Sequence, residues 1–202
     1  MNRSVIAASV YITLFFAMPI LYGGPAPKNK ISHLTFSHPV QIPGATLPAG
    51  TYTFSLVNSS GHRGIVRVTN QRGDKIFATI LSLPDYRTKA TSHTVILFGE
   101  KAPCEEATPI KAWFYPNETF GYRFVYPKAQ AAEIATTCNE PVPETPDETA
   151  SDANLTPDQL RVLEKTSVYL VTPGKQEEKY DLAELSTGDQ SDRGGFDAGK
   201  EQ

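Results

Sequence analysis

The sequence predicts a mostly β fold: an antiparallel β-sandwich or small open barrel of about seven strands, then one C-terminal helix and a disordered tail. Two observations predict this class. Between residues 28 and 138, short runs of β-branched and aromatic residues alternate with Gly, Pro and Asn, which is the pattern of successive strands. These runs recur about every ten residues, the spacing typical of sandwiches and small barrels.

Strands are predicted at residues 34–41, 50–57, 64–69, 75–83, 94–98, 110–115 and 121–126. Gly73 and the loop around it, residues 70–74, separate two apolar runs, so the third and fourth strands are expected to form an antiparallel hairpin. In the second strand Tyr52, Phe54 and Leu56 alternate with Thr and Ser, which predicts one buried face and one solvated face.

The composition and charge of the chain change near Cys138. Pro127 suits a first helical position, and the Ala-rich residues 128–137 predict a helix that closes a β domain over residues 28–138. That domain holds 12 basic against 7 acidic residues, whereas residues 139–202 hold 6 against 15. The second segment is predicted to be an acidic, largely disordered tail. Within it we expect a short helix near 157–165, capped by Thr156, and a strand at 168–171.

The N-terminus has the features of a secretory signal. A basic start, Met-Asn-Arg, precedes an uncharged run from Val5 to Tyr22. Residues 1–24 are therefore predicted to be a signal peptide, cleaved at about residues 24–26. The alternative is an uncleaved anchor, because about 18 apolar residues can just span a bilayer. Either reading predicts an exported protein, periplasmic or at the cell surface or extracellular.

The chain contains two cysteines, Cys104 and Cys138. In an oxidising compartment we expect them to form a disulfide, which would stabilise the fold by about 3 to 4 kcal/mol on the chain-entropy model. Two separate buried thiols are the alternative.

Signatures of catalysis are missing from the sequence. It has no Gly-x-Ser-x-Gly elbow, no phosphate-binding Gly-rich loop and no His-Glu-x-x-His motif, so we predict a protein that is not an enzyme and needs no cofactor. His62 follows two serines in a loop, which does not make a catalytic triad. His33 and His38 should lie on opposite faces of a regular strand, so no metal site is predicted. Without a concentrated Arg/Lys stripe, nucleic acid is not expected as a partner.

Aromatic residues are most concentrated at residues 113–126. If one face of this predicted hairpin is exposed, its rings could stack on sugars, with Trp113, Tyr115, Tyr122 and Arg123 as candidate ligand-binding residues. The alternative is that the rings form the core.

Three motifs resemble an uncharacterised family of small exported bacterial proteins of acidobacterial type: LPAGTY at 47–52, IKAWFYP at 110–116 and GYRFVYPK at 121–128. The resemblance covers roughly residues 31–138. It implies export and a single β domain, and it names no catalytic residue.

We therefore expect an exported, non-enzymatic binding or structural module of the cell envelope. Its expected partner is an envelope protein or a glycan, and it would contact a membrane only if the N-terminal segment stays uncleaved. The alternatives are a carbohydrate-binding accessory domain and a redox or metal-handling protein that uses the cysteines and histidines.

Overall fold

The computed structural model describes residues 30–60, 63–99, 106–146 and 154–180. These residues are mostly β, as the sequence predicts, and include two helices, α1 (Lys128–Cys138) and α2 (Pro157–Leu163). The strands are β1 (Ile31–Phe36), β2 (Val40–Ile42), β3 (Ala45–Leu47), β4 (Gly50–Ser60), β5 (Arg63–Asn70), β6 (Ile76–Tyr86), β7 (Val95–Phe98), β8 (Thr108–Phe114), β9 (Phe120–Phe124), β10 (Tyr126–Pro127), β11 (Val142–Thr145), β12 (Tyr169–Val171) and β13 (Glu177–Lys179).

The larger sheet has nine strands in the order β1-β4-β5-β6-β9-β8-β2-β3, with β7 also paired to β8. Its strand pairs are antiparallel except β2 with β8. The predicted hairpin is confirmed as β5–β6, whose turn is closed by a 2.9 Å hydrogen bond from Asn70 N to Lys75 O. Gly73 takes a φ of 78° there, a left-handed conformation that glycine adopts without steric cost.

The single strand predicted at 34–41 is wrong, because the structure divides it into β1 and β2. Pro39 lies between them and has no N–H group to donate to a continuing ladder. After this break β2 pairs with β3 and β8 instead of continuing along β4. The turn between β2 and β3 contains Gly44 with a φ of 76°.

The larger sheet is strongly curved. In a flat sheet β1 and β8, five positions apart, would be separated by about 24 Å, at about 4.8 Å per strand. Yet the Trp113 Nε1–H group on β8 donates to Ser32 Oγ on β1 at 3.2 Å. Ser32 Oγ also lies 2.9 Å from the hydroxyl oxygen of Thr94, just before β7. The sheet therefore curls until its β1 edge approaches the β7–β8 region.

The second sheet has the order β10-β11-β12-β13. Its first strand precedes residue 138 in the chain, and its other three strands follow it. The domain boundary predicted at Cys138 is therefore wrong, since β11 pairs with β10 on one side and β12 on the other. Secondary structure also corrects the expectation of a largely disordered tail for residues 139–146 and 154–180. The predicted tail helix is confirmed as α2, with a capping box between Thr156 and Gln159, and the predicted strand at 168–171 is confirmed as β12.

Two apolar clusters hold these elements together. The larger cluster fills the inner face of the curved sheet and includes Trp113, Phe124 and Ile134 of α1. The smaller cluster lies on the outer face, where buried side chains of β5, β6 and residue 125 meet Leu163 and Val168. The segment that contains α2 thus covers an apolar sheet face, which explains why an otherwise acidic stretch packs against the domain.

Arg63 fastens the same segment by donating from Nη1 to the carbonyl oxygens of Glu164 and Thr166. These carbonyls follow the last turn of α2, where backbone acceptors lack intrahelical partners. Burial lowers the pKa of the Arg63 guanidinium from its usual value.

Several sequence predictions fall on residues outside the described ranges: the signal peptide at 1–24, Cys104, His62 and the final part of the tail, 181–202. Cys138 is 2% exposed at the end of α1, and its pairing with Cys104 stays a prediction. Within the described ranges, neither helix is long and apolar enough to cross a membrane.

Candidate functional site

Trp113 and Tyr122, two of the four predicted ligand-binding residues, belong to the core. Their exposed fractions are 0% and 3%. The Trp113 ring lies 6.3 Å from that of Phe54 and 5.5 Å from that of Tyr122, measured between centroids. Of the two interpretations that the sequence allows, the structure therefore favours a core role for these two rings over an exposed platform. The sheet curls over them, so the face that they share is the inside of the fold.

The other two predicted residues lie elsewhere. Arg123 follows Tyr122 on β9 and so points to the opposite face of the sheet. There its guanidinium forms a bidentate ion pair with the Asp85 carboxylate, with Nε 3.1 Å from Oδ2 and Nη2 3.2 Å from Oδ1. Tyr115 is partly buried, with its ring 6.4 Å from that of Trp113. The four residues therefore do not form one surface.

A column of rings does reach the surface from this core. It runs from Trp113 to Tyr122, then to Phe120 at 5.3 Å and to Tyr86 at 5.4 Å, with edge-on contacts at the last two steps. Exposure rises along the column until Tyr86 is 55% exposed. Sequence reasoning missed Tyr86, because the predicted strand ended at residue 83. Its place beside Phe120 follows from the register between β6 and β9, which the local sequence pattern does not show.

Charged groups flank the outer end of this column. Lys30 Nζ lies 5.7 Å from the centroid of Phe120 and 5.2 Å from that of Tyr122, within cation–π range, and forms an ion pair with Glu118. Burial opposes the charge of Lys30, but the contacts with Glu118 and Tyr122 outweigh it and raise the pKa of Lys30. For Tyr122, in contrast, burial itself raises the pKa, because it disfavours the charged phenolate.

We call this surface the aromatic rim and define it as Tyr86, Phe120, Tyr115, Lys30 and Glu118. It combines ring faces and edges with one cation and one anion. Such a surface suits an amphipathic ligand with apolar faces and polar edges, because the rings remove apolar area from water while the charged groups hydrogen-bond.

Arg87 holds the rim in place. Its Nε and Nη2 groups donate to Glu118 O at 3.2 and 3.1 Å, and Nη2 donates to Thr91 Oγ1 at 2.8 Å. Its guanidinium carbon lies 5.1 Å from the centroid of Phe114, within cation–π range. The turn that bears Glu118 is therefore fixed by several contacts, and a ligand would meet a pre-organised surface.

The described residues offer little else for chemistry. They contain no group of three His, Cys, Asp or Glu side chains that is able to hold a metal. His33 Nδ1 lies 3.0 Å from Thr53 Oγ1, and His38 Nδ1 lies 2.9 Å from Ser37 Oγ. A cleft between β8, α1 and β11 has a volume of about 20 Å³, enough for roughly one water molecule.

The three sequence motifs contribute side chains and carbonyl groups to hydrogen bonds that hold the fold together. In LPAGTY the Tyr52 hydroxyl donates to Pro48 O at 2.8 Å and closes the turn before β4. In GYRFVYPK the buried Tyr126 hydroxyl donates to Ile110 O at 2.7 Å, within the IKAWFYP motif. The motifs therefore tie β4, β8 and β10 to their neighbours.

Comparisons of the chain with protein-family models, curated proteins and solved structures found no match.

Proposed function

We propose that the protein is an exported, non-enzymatic binding module of the cell envelope and that the aromatic rim is its ligand-binding surface. The observation that carries the proposal is the position of Tyr86, which is 55% exposed at the end of a column of rings rooted in the core. A large aromatic side chain held in place at the surface is typical of binding sites, because little conformational entropy is lost when it meets a partner.

A glycan is the ligand class that the rim favours. Sugar rings have apolar faces that pack on aromatic rings and hydroxyl groups that bond to charged side chains. Tyr86 and Phe120 offer the rings, and Lys30 and Glu118 offer a donor and an acceptor. The rim therefore has the sugar-binding role that the sequence first suggested for the hairpin at residues 113–126. An envelope protein is the second candidate, favoured by the same exposed aromatic side chain.

A glycan array with the exported chain tests this proposal. We expect binding by the wild type, loss of binding by Tyr86→Ala, and unchanged binding by Val162→Ala. Val162 is a matched control because it is an apolar side chain, 61% exposed, on α2. Binding that Tyr86→Ala leaves intact would place the ligand site elsewhere and contradict the proposal.

The proposal also includes a choice between the two architectures that the sequence predicts, an open barrel and a β-sandwich. The curl that brings Ser32 to Trp113 and Thr94 supports the open barrel over the β-sandwich. The aromatic rim would then lie at one mouth of the barrel, where barrels of this kind commonly bind ligands.

Export and the disulfide complete the proposal. Cleavage of residues 1–24 predicts that the mass of the exported protein lacks this segment, whereas a mass that includes it would indicate an anchor. Pairing of Cys104 with Cys138 predicts no alkylation of the unfolded, unreduced protein. Two alkylated thiols would instead support separate cysteines.

A further inference from the structure

Glu144 is a buried carboxyl group in the second sheet that the proposed function does not use. It lies on β11, opposite Tyr126 of β10 and opposite Tyr169 of β12. The residue is 1% exposed, and its Oε2 atom has no hydrogen-bond partner among the residues that the structure describes. A buried carboxylate without full hydrogen bonding is costly, so this position favours the neutral acid.

Strand alternation shows which groups Glu144 faces. Val142, two residues earlier, belongs with Val171 to the larger apolar cluster, so Glu144 points to the same side, toward α1. The titratable and charged side chains on this side are Lys128 of α1, Tyr126 of β10, Tyr169 of β12, and Glu177 and Lys179 of β13.

Two of the nearby donors, Lys128 and Tyr126, have other partners. Lys128 Nζ lies 2.7 Å from Glu177 Oε1, and the Tyr126 hydroxyl donates to Ile110 O. Glu177 also adds a negative charge beside Glu144. Burial raises the pKa of Glu144 above its usual value, Glu177 raises it further, and Lys128 lowers it in part.

We propose that Glu144 is a proton-dependent latch that fastens β12 and β13 to the rest of the molecule. When its carboxyl group is protonated, the two strands pair firmly over it. When it ionises, the buried negative charge next to Glu177 favours opening of β12 and β13, because opening admits water to the carboxylate.

The sign of the pH effect follows from the direction of the shift. A carboxyl group whose pKa is higher in the closed state binds a proton more tightly there than in the open state. Its contribution to closure is therefore complete at a pH below the open-state pKa, and it is lost as the pH rises through the closed-state pKa. Acidification should therefore stabilise the closed state, and a rise in pH should destabilise it.

Hydrogen exchange of the backbone amides in β12 and β13 tests this proposal on the exported chain. After correction for intrinsic exchange rates, we expect protection in the wild type to increase as the pH falls from neutral toward the ordinary pKa of Glu, about 4.3, by at most about tenfold per pH unit, the limit for one proton. Glu144→Gln, which is neutral at every pH, should abolish this dependence. A Glu144→Gln variant with the dependence of the wild type would overturn the proposal.

Two neighbouring substitutions sharpen the test. Glu177→Gln removes the adjacent negative charge, so the transition should move to lower pH. Glu178→Gln is the matched control, because Glu178 is an exposed neighbour on β13 whose side chain points to the opposite face. Glu178→Gln should leave the transition unchanged, and an equal shift in both variants would indicate a general charge effect and contradict a specific latch.

A direct titration remains decisive if Glu144→Gln fails to fold. In the wild type, the carbon-13 shift of the Glu144 carboxyl group should titrate above the ordinary value for Glu, about 4.3. A midpoint at or below that value would overturn the proposal.

Discussion

Replacement of Trp113 by Ala distinguishes a core residue from a ligand platform. The indole is 0% exposed, and its ring contacts those of Phe54, Tyr122 and Tyr115. Removal of a fully buried Trp side chain costs about 3 to 5 kcal/mol through lost transfer free energy and the cavity that is left. Because the whole stability of a domain is about 5 to 15 kcal/mol, Trp113→Ala should unfold at much lower denaturant concentration than the wild type.

Urea unfolding of the wild type and two variants measures this effect. Tyr86→Ala is the matched control, because it removes an exposed ring from the same aromatic column. It should lose the edge-on contact with Phe120 and cost only about 0.5 to 1.5 kcal/mol. If the slope of the transition stays constant, the shift in midpoint reports stability directly. A loss below about 1 kcal/mol for Trp113→Ala would refute the core assignment.

Three further substitutions test the packing of the remaining elements. Arg63→Met removes the donors to the two carbonyls after α2 and should destabilise that segment by about 1 to 3 kcal/mol, seen as faster hydrogen exchange in residues 157–171. Gly121→Ala should cost about 1 to 3 kcal/mol in urea unfolding, because its Cβ would lie 2.5 Å from the Phe114 ring. Thr156→Ala removes the N-cap of α2 and should lower local stability by about 0.5 to 2 kcal/mol, and unchanged exchange of α2 amides would contradict the capping role.

Local features of the fold were predictable from the sequence. Turn residues around Gly73 predicted the β5–β6 hairpin, and the Ala-rich run predicted α1. Thr156 and Gln159 form a capping box, a signal that depends on residues three positions apart. Each of these elements depends on neighbours in the chain, which sequence patterns record.

Features that depend on distant contacts were not predictable. The sequence left open whether Trp113 is a core or a surface residue, because the answer depends on the curl that brings β1 over β8, and no local pattern encodes that curl. The role of Tyr86 depends on its pairing with Phe120 in another strand. Glu144 lies among prolines in an acidic stretch, a composition typical of disorder, and becomes buried only because β10 and β12 flank it.

The measurement that tests the central claim most directly is a thermal-shift screen of the protein against soluble glycans, cell-wall fragments and short peptides. A ligand at about a hundred times its dissociation constant adds roughly 2.7 kcal/mol of stability. We predict a rise in melting temperature with at least one glycan, and no rise for Tyr86→Ala with the same ligand. Uniform absence of a shift in a cooperatively melting protein, or a shift that Tyr86→Ala retains, would contradict a ligand site at the aromatic rim.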